Sequence, residues 1–207
     1  VAGLTEMDRG IAEFFRELPG LLLVVILALF YRFSAEKMYK MGMVIMVVGM
    51  TMQALISPAK ALVIAAIFIY SLGDHIQLGM KNTLSLEYSR TGYGGQALGY
   101  QNSVYQIGNL VGYLAVIVVF LLISKGTMVF KPIFAVAAGF MVLAMLASLR
   151  LTGSSATDSS RRRFYFRRKF RKYYMLEVFY GARKQVFFTF GPYVLVLFYG
   201  ADAGVIS

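Results

Sequence analysis

The chain contains no cysteine, no tryptophan and only one histidine. Without cysteine it can form neither disulfide bonds nor thiolate metal sites, and a single histidine excludes the paired-histidine zinc motif of many metalloproteases. It also lacks a G-x-S-x-G nucleophile elbow and a G-x-x-x-x-G-K-[ST] phosphate-binding loop. These absences argue against an enzyme, and we predict no cofactor and no metal site.

Polar stretches are scarce as well, because hydrophobic residues make up 58% of the 207 positions. A soluble domain is usually about 45–50% apolar. The apolar residues here cluster into runs of about 20, which is the length that crosses about 30 Å of hydrocarbon. The runs show no period-two alternation, so a membrane β-barrel is excluded. The sequence therefore predicts an all-α fold, a polytopic transmembrane helix bundle.

Six spans can be placed along the chain. They cover roughly residues 11–31, 39–56, 61–87, 96–123, 129–149 and 173–199. The stretch from Thr152 to Ser160 is rich in serine, threonine and glycine, which is typical of a linker. We therefore predict an amino-terminal bundle of five spans (1–151), a basic linker (152–172) and the first helix of a second bundle (173–207). The first residues carry no signal-peptide pattern and the last form no polar tail, so we expect a longer protein.

Lysine and arginine are concentrated in alternate loops. The loops at 32–40, 88–95 and 150–172 hold most of them, whereas the opposite loops hold only Lys60, Lys125 and Lys131. Basic loops remain on the cytoplasmic side, so we expect a multi-pass protein of the plasma (inner) membrane with the first set of loops in the cytoplasm.

Much of the net charge of +11 lies in the segment from Arg161 to Lys172, where bases alternate with aromatic residues. This composition favours an interfacial membrane anchor. Specific binding of anionic lipid is the alternative. Nucleic acid is not expected as a partner, because the segment lies between two spans. Membrane lipids, a small solute and the remaining helices of the full-length chain are the expected partners.

Ionisable side chains are unevenly distributed among the spans. Each one costs roughly 2.5–3.5 kcal/mol to insert, so those retained are functional candidates. The second and fifth spans carry none between Met41 and Ile56 and between Pro132 and Leu149, and we predict that these two spans are lipid-facing or peripheral. The candidate residues of a substrate or ion cavity are Asp74, His75, Gln77, Lys81, Asn82, Asn102, Tyr105, Gln106, Asn109, Arg183, Lys184 and Gln185. A further set, for ion coupling or helix pairing, is Glu13, Arg16 and Glu17.

Helical spacing limits which of these residues can meet. Glu13 and Arg16 are three apart and can pair on one face. Asp74 and Lys81 share a face but are separated by about 10 Å of rise, so they cannot pair directly. His75 is either a proton relay or a hydrogen-bonded packing residue.

The polar side chains of the fourth span form a stripe that either binds a solute or bonds to neighbouring helices. Gly108 and Gly112 beside it predict a close helix contact.

The loop from Arg32 to Met41 resembles a motif of the major facilitator superfamily, G-x-x-x-D-[RK]-x-G-[RK]-[RK]. Glu36, Lys37 and Lys40 keep its acid-base-base order, whereas Arg32 and Tyr39 replace its glycines. The order of spans and the long basic loop are similar to helices two to seven of that family. Under this alignment the uncharged spans match the family's peripheral helices, and the charged third and sixth spans match helices that line its cavity.

The resemblance implies a secondary transporter, a symporter or antiporter, that works by alternating access between two helical halves. Asp74, His75 and Lys81 would face Arg183 or Lys184 across the cavity, and Glu36, Lys37 and Lys40 would form a cytoplasmic gate. The basic residues favour an anionic solute, and Asp74 or Glu17 is the candidate for proton coupling. The alternative is a non-transporting membrane sensor or lipid-binding scaffold.

Overall fold

The computed structural model describes residues 6–55, 59–122, 130–152 and 166–200. These residues form six α-helices and no β-strand, and a short 3-10 helix, Arg168–Phe170, precedes the last of them. The all-α helical bundle is confirmed, and each helix matches one predicted span. The helices are α1 (Glu6–Leu29), α2 (Ala35–Leu55), α3 (Lys60–Glu87), α4 (Gly94–Leu122), α5 (Phe130–Leu149) and α6 (Arg171–Tyr199).

Four of these helices, α2 to α5, are long and apolar enough to cross a bilayer. The chain is therefore an integral membrane protein. Helices α1 and α6 are outside that set, and both carry their charged side chains in their first half. Residues 153–165, with most of the predicted linker and Arg161, and the loop residue Lys125 lie outside the described residues.

The chain divides into two compact units. The first comprises Val1–Tyr105 with Gly126–Arg163, and the second comprises Gln106–Lys125 with Phe164–Ser207. The first unit thus holds α1, α2, α3, α5 and the beginning of α4. The second holds the remainder of α4 together with α6.

Within the first unit, α2 lies between α3 and α5, and α1 packs on α3. The second span, predicted to be lipid-facing or peripheral, thus packs on two helices, whereas its Val44 and Val48 stay exposed. Its uncharged surface is apolar because it contacts other helices, and an apolar side chain suits a helix and a lipid tail equally well. The fifth span is exposed along most of its length. The buried residues of α2 are Ala35, Met38, Gly42, Met43, Met46 and Gly49.

Glycines bring α2 and α3 into contact at the level of the main chain. A Cβ atom built on Gly73 would lie 2.6 Å from the carbonyl oxygen of Gly42, and one on Gly49 would lie 2.6 Å from Cα of Tyr70. A Cβ atom on Gly108 or Gly112 would meet nothing within 4 Å among the described residues, so the close contact predicted there stays a prediction. The small-residue interface that the structure does describe lies between α2 and α3.

The ends of three helices meet at one face of the first unit. Lys40, near the start of α2, donates from Nζ to the carbonyl oxygen of Leu151, 2.9 Å away and just beyond α5. The hydroxyl of Tyr88, at the end of α3, donates to the carbonyl oxygen of Thr152 at 3.1 Å. The loops that the charge pattern assigned to one side of the membrane therefore do share one end of the unit.

Candidate functional site

Three charged side chains form an ion-pair chain near the middle of α1. Arg16 Nε lies 2.8 Å from Oε2 of Glu13, and its second guanidinium nitrogen lies 2.8 Å from Oε1 of Glu17. The predicted pairing of Glu13 with Arg16 is thus present, and the guanidinium serves both carboxylates. Between 29% and 42% of each side chain is exposed, so the group is accessible from outside the unit.

Beside these ion pairs, a serine and a histidine of α3 contact α1. The hydroxyl of Ser71 donates a hydrogen bond to the main-chain carbonyl of Arg16. His75 Nδ1 lies 2.9 Å from the carbonyl oxygen of Ser71, and because a carbonyl only accepts, Nδ1 carries the proton. The opposite edge of the ring lies against Gly20, which follows the fully buried Pro19. The structure therefore places His75 in helix packing.

Asp74 precedes this histidine and lies halfway along α3. The charged residues in the surroundings of its carboxylate are Arg16 and Glu17 on α1 and Lys81 on α3. Within the described part of the chain, no ion pair includes Asp74. We use the name α1–α3 charged cluster for the six residues Glu13, Arg16, Glu17, Asp74, His75 and Lys81.

Lys81 extends this cluster to α4. Its Nζ lies 3.9 Å above the centre of the Tyr105 ring, an arrangement in which the ring face attracts the cation. One turn of α3 further on, the Ser85 hydroxyl donates to Oε1 of Gln101 at 3.1 Å. The start of α4 is therefore joined to α3 by two polar contacts. As their separation of about 10 Å along the helix predicts, Lys81 and Asp74 form no direct ion pair.

Other predicted cavity residues are not part of this cluster. Gln77 turns to α2 and donates from Nε2 to the Tyr39 hydroxyl at 3.1 Å. Asn82 and Asn102 are exposed. The predicted cavity residues that belong to the α1–α3 charged cluster are thus Asp74, His75 and Lys81, and Tyr105 contacts Lys81.

The remaining candidates belong to the second unit. Asn109 Nδ2 donates to Oε1 of Gln106 at 3.0 Å, so these two amides satisfy each other along α4. Arg183 is exposed and its guanidinium carbon lies 5.1 Å from the centre of the Tyr180 ring. The side chains of Lys184 and Gln185 lie outside the described residues.

The residues of the predicted cytoplasmic gate lie at the start of α2. Lys40 pairs with Glu36, one helical turn earlier, and also donates to the Leu151 carbonyl. Lys37 is exposed, and its main-chain N–H donates to the Ser34 hydroxyl at 3.3 Å. Glu36 and Lys40 therefore connect α2 to the end of α5, whereas the Lys37 side chain projects outward.

Sequence reasoning missed Ser71, Tyr70 and Tyr39. The main chain of Tyr70 lies against Gly49 of α2, so this residue belongs to the contact between α2 and α3. Serine and tyrosine are common in membrane helices, and only the positions of α1 and α2 reveal what these three contact. The one available signal was the four-residue spacing of Ser71 and His75, which places both on one face of α3.

Within the described residues, no group of three or more acidic or histidine side chains is arranged to hold a metal ion. The arrangement instead offers fixed charges of both signs and one unpaired carboxylate. Comparison with known protein families, curated proteins and solved structures found no match to this chain.

Proposed function

We propose that this protein is a secondary transporter of the major facilitator type, which moves a small solute across the plasma (inner) membrane by alternating access. The observation that carries the proposal is the depth of the α1–α3 charged cluster. Arg16 lies about 15 Å along α1, and Asp74 lies about 21 Å along α3, whose full length is about 42 Å. Asp74 is thus close to the middle of α3, a candidate membrane span that is longer than the hydrocarbon layer is thick.

Charges at this depth are costly unless they face protein or water. The ion pairs of Glu13 and Glu17 with Arg16 offset part of that cost, but no ion pair reaches Asp74 in the part of the chain that the structure describes. A carboxylate kept at mid-depth without a paired cation is suited to bind a proton or a passing solute. This property supports a transporter over a membrane protein with a purely structural role.

Each member of the site has a proposed task. Asp74 takes up the coupling proton, with Glu17 as the second candidate. Lys81 attracts an anionic solute, and the amide of Asn102 adds hydrogen bonds. Glu36 and Lys40 hold the ends of α2 and α5 together on the cytoplasmic side.

Single-cysteine labelling tests the proposal, because the chain has no native cysteine. Asp74→Cys and Lys81→Cys are each introduced into the intact protein in sealed vesicles. A membrane-impermeant maleimide is then added to the outside or enclosed inside. Alternating access predicts that Asp74→Cys and Lys81→Cys react from both sides, since the cavity opens to each in turn.

Two control variants set the scale of the labelling. Leu143→Cys lies on the exposed surface of α5 and should remain unlabelled from either side, because lipid covers it. Arg90→Cys lies in the loop before α4 and should react from the cytoplasmic side alone. Labelling of Asp74→Cys and Lys81→Cys from one side only, or from neither, would reject the transporter and favour a sensor or a lipid-binding scaffold.

A further inference from the structure

The segment from Phe166 to Tyr174 presents cations and aromatic rings together. Five of its nine residues are bases, and all five are exposed. No acidic residue occurs between Asp158 and Glu177, so the cations have no neighbouring carboxylate in the sequence. The five bases are Arg167, Arg168, Lys169, Arg171 and Lys172.

Ring contacts give this segment a fixed shape. Phe166 stacks on Tyr174 with 4.6 Å between ring centres, and Phe170 meets the same tyrosine edge-on at 6.5 Å. These contacts fold the residues before α6 back onto its first turn. Phe166, Phe170 and Tyr173 nevertheless remain exposed. Rings and bases are therefore presented together on the outside of one compact turn.

Exposed rings beside exposed bases match the border between acyl chains and lipid headgroups. Tyrosine settles at this border, where its apolar ring and its polar hydroxyl are both satisfied, and the wholly apolar phenylalanine rings suit the acyl side of it. Basic clusters next to a membrane helix attract anionic headgroups, and each base adds to the attraction. A soluble polyanion that lacks aromatic rings of its own would meet the charges but would leave the phenylalanine rings in water.

We propose that residues 166–174 form a binding surface for anionic phospholipid headgroups, which enriches such lipids around the start of α6. The headgroup phosphates contact the guanidinium and ammonium groups, and the rings of Phe166 and Phe170 enter the acyl border. This surface is distinct from the α1–α3 charged cluster, and it is independent of whether the protein transports a solute.

The absence of tryptophan allows a direct test. Phe166→Trp introduces a single fluorophore that can keep the stack on Tyr174. The intact protein is reconstituted in vesicles of equal parts phosphatidylglycerol and phosphatidylcholine, in which one or the other lipid carries brominated acyl chains that quench tryptophan. We expect brominated phosphatidylglycerol to quench about twofold more than brominated phosphatidylcholine, because the bases recruit it.

Three variants show whether the positive charges cause the difference in quenching between the two lipids. Replacing all five bases by glutamine in the Phe166→Trp background should equalise the two quenchers, whereas replacing the three arginines by lysine should preserve the difference. Phe140→Trp, on the exposed surface of α5, should show no difference. Equal quenching at Phe166→Trp would overturn the proposal, as would a difference that survives neutralisation. Loss of the difference on adding soluble RNA at constant ionic strength would assign the surface to nucleic acid instead.

Discussion

The imidazole ring of His75 lies directly against the main chain of Gly20. A Cβ atom built on Gly20 would be 2.6 Å from Nε2 and 2.7 Å from Cδ2 of this ring. The Nδ1 side of the ring is held by Ser71, whose hydroxyl in turn reaches the Arg16 carbonyl. Both edges of the imidazole are therefore occupied, and α1 approaches α3 at this level as closely as a glycine permits.

Gly20→Ala should destabilise the protein by about 1–3 kcal/mol, because the new methyl group forces the ring of His75 or the backbone to move. The free energy of unfolding is measured in mild detergent by titration with sodium dodecyl sulfate. Gly10→Ala is the matched control on the same helix, since a Cβ at Gly10 meets nothing within 4 Å. It should be neutral, or stabilising by up to about 1 kcal/mol.

The double variant Gly20→Ala/His75→Ala identifies the clash as the cause. With the ring gone, the methyl group has space, so the two substitutions should cost less together than the sum of their separate effects. Additive costs would mean that Gly20 matters for another reason, such as backbone freedom next to Pro19.

Gly73→Ala should cost at least as much as Gly20→Ala. Its Cβ would lie 2.6 Å from the Gly42 carbonyl oxygen and 2.6 Å from the Met46 backbone nitrogen, and main-chain atoms cannot turn aside as a side chain can. We expect faster amide hydrogen exchange in both α2 and α3, followed by mass spectrometry. Gly139→Ala on α5 serves as the control because it has open space, and exchange as slow as in the control would contradict the glycine interface.

Lys40→Met should loosen the end of α5. The substitution keeps the apolar stem but removes the donor to Leu151 and the partner of Glu36, at a cost of about 1–2 kcal/mol. Amide exchange should rise around Ser148 to Thr152. Lys37→Met, which alters an exposed side chain three residues earlier, should leave that exchange unchanged. An equal rise in both variants would point to a general charge effect in place of this contact.

Asp74→Asn tests proton coupling. In proteoliposomes with an imposed pH gradient, uptake of radiolabelled small carboxylates should lose its dependence on the gradient, because an amide cannot take up the coupling proton. Exchange of solute across the membrane should persist, since it moves no net proton. Glu17→Gln is the companion variant. Unchanged pH dependence of uptake in Asp74→Asn would exclude Asp74 as the coupling site. Loss of the pH dependence in Glu17→Gln alone would assign the coupling site to α1.

The helices were predictable because their length and lack of alternation admit nothing else in lipid. The pairing of Glu13 with Arg16 was predictable too, because it depends only on spacing within one helix. Contacts between helices were not predictable from the sequence. Gly108 and Gly112 have the spacing of a close contact, but the close contact that the structure describes is made by Gly42, Gly49 and Gly73. Small residues permit a close approach, but the neighbouring helix decides where it occurs.

The position of α2 could not be inferred for a related physical reason. Its methionines and glycines would suit lipid as well as they suit α3 and α5, so absence of charge reveals only that water is excluded. The role of Ser71 was equally hidden, because its acceptor is a main-chain carbonyl of Arg16 that every residue type possesses.

The main-chain contact between α2 and α3 has a mechanical consequence. Where side chains interdigitate, a small displacement can be absorbed by rotamer changes, but at Gly42 and Gly73 there are no rotamers to change. A shift that begins at Asp74 must carry α2 with it as one stiff body. Since Lys40 joins the beginning of α2 to Leu151, such a shift would also displace the carboxyl-terminal end of α5.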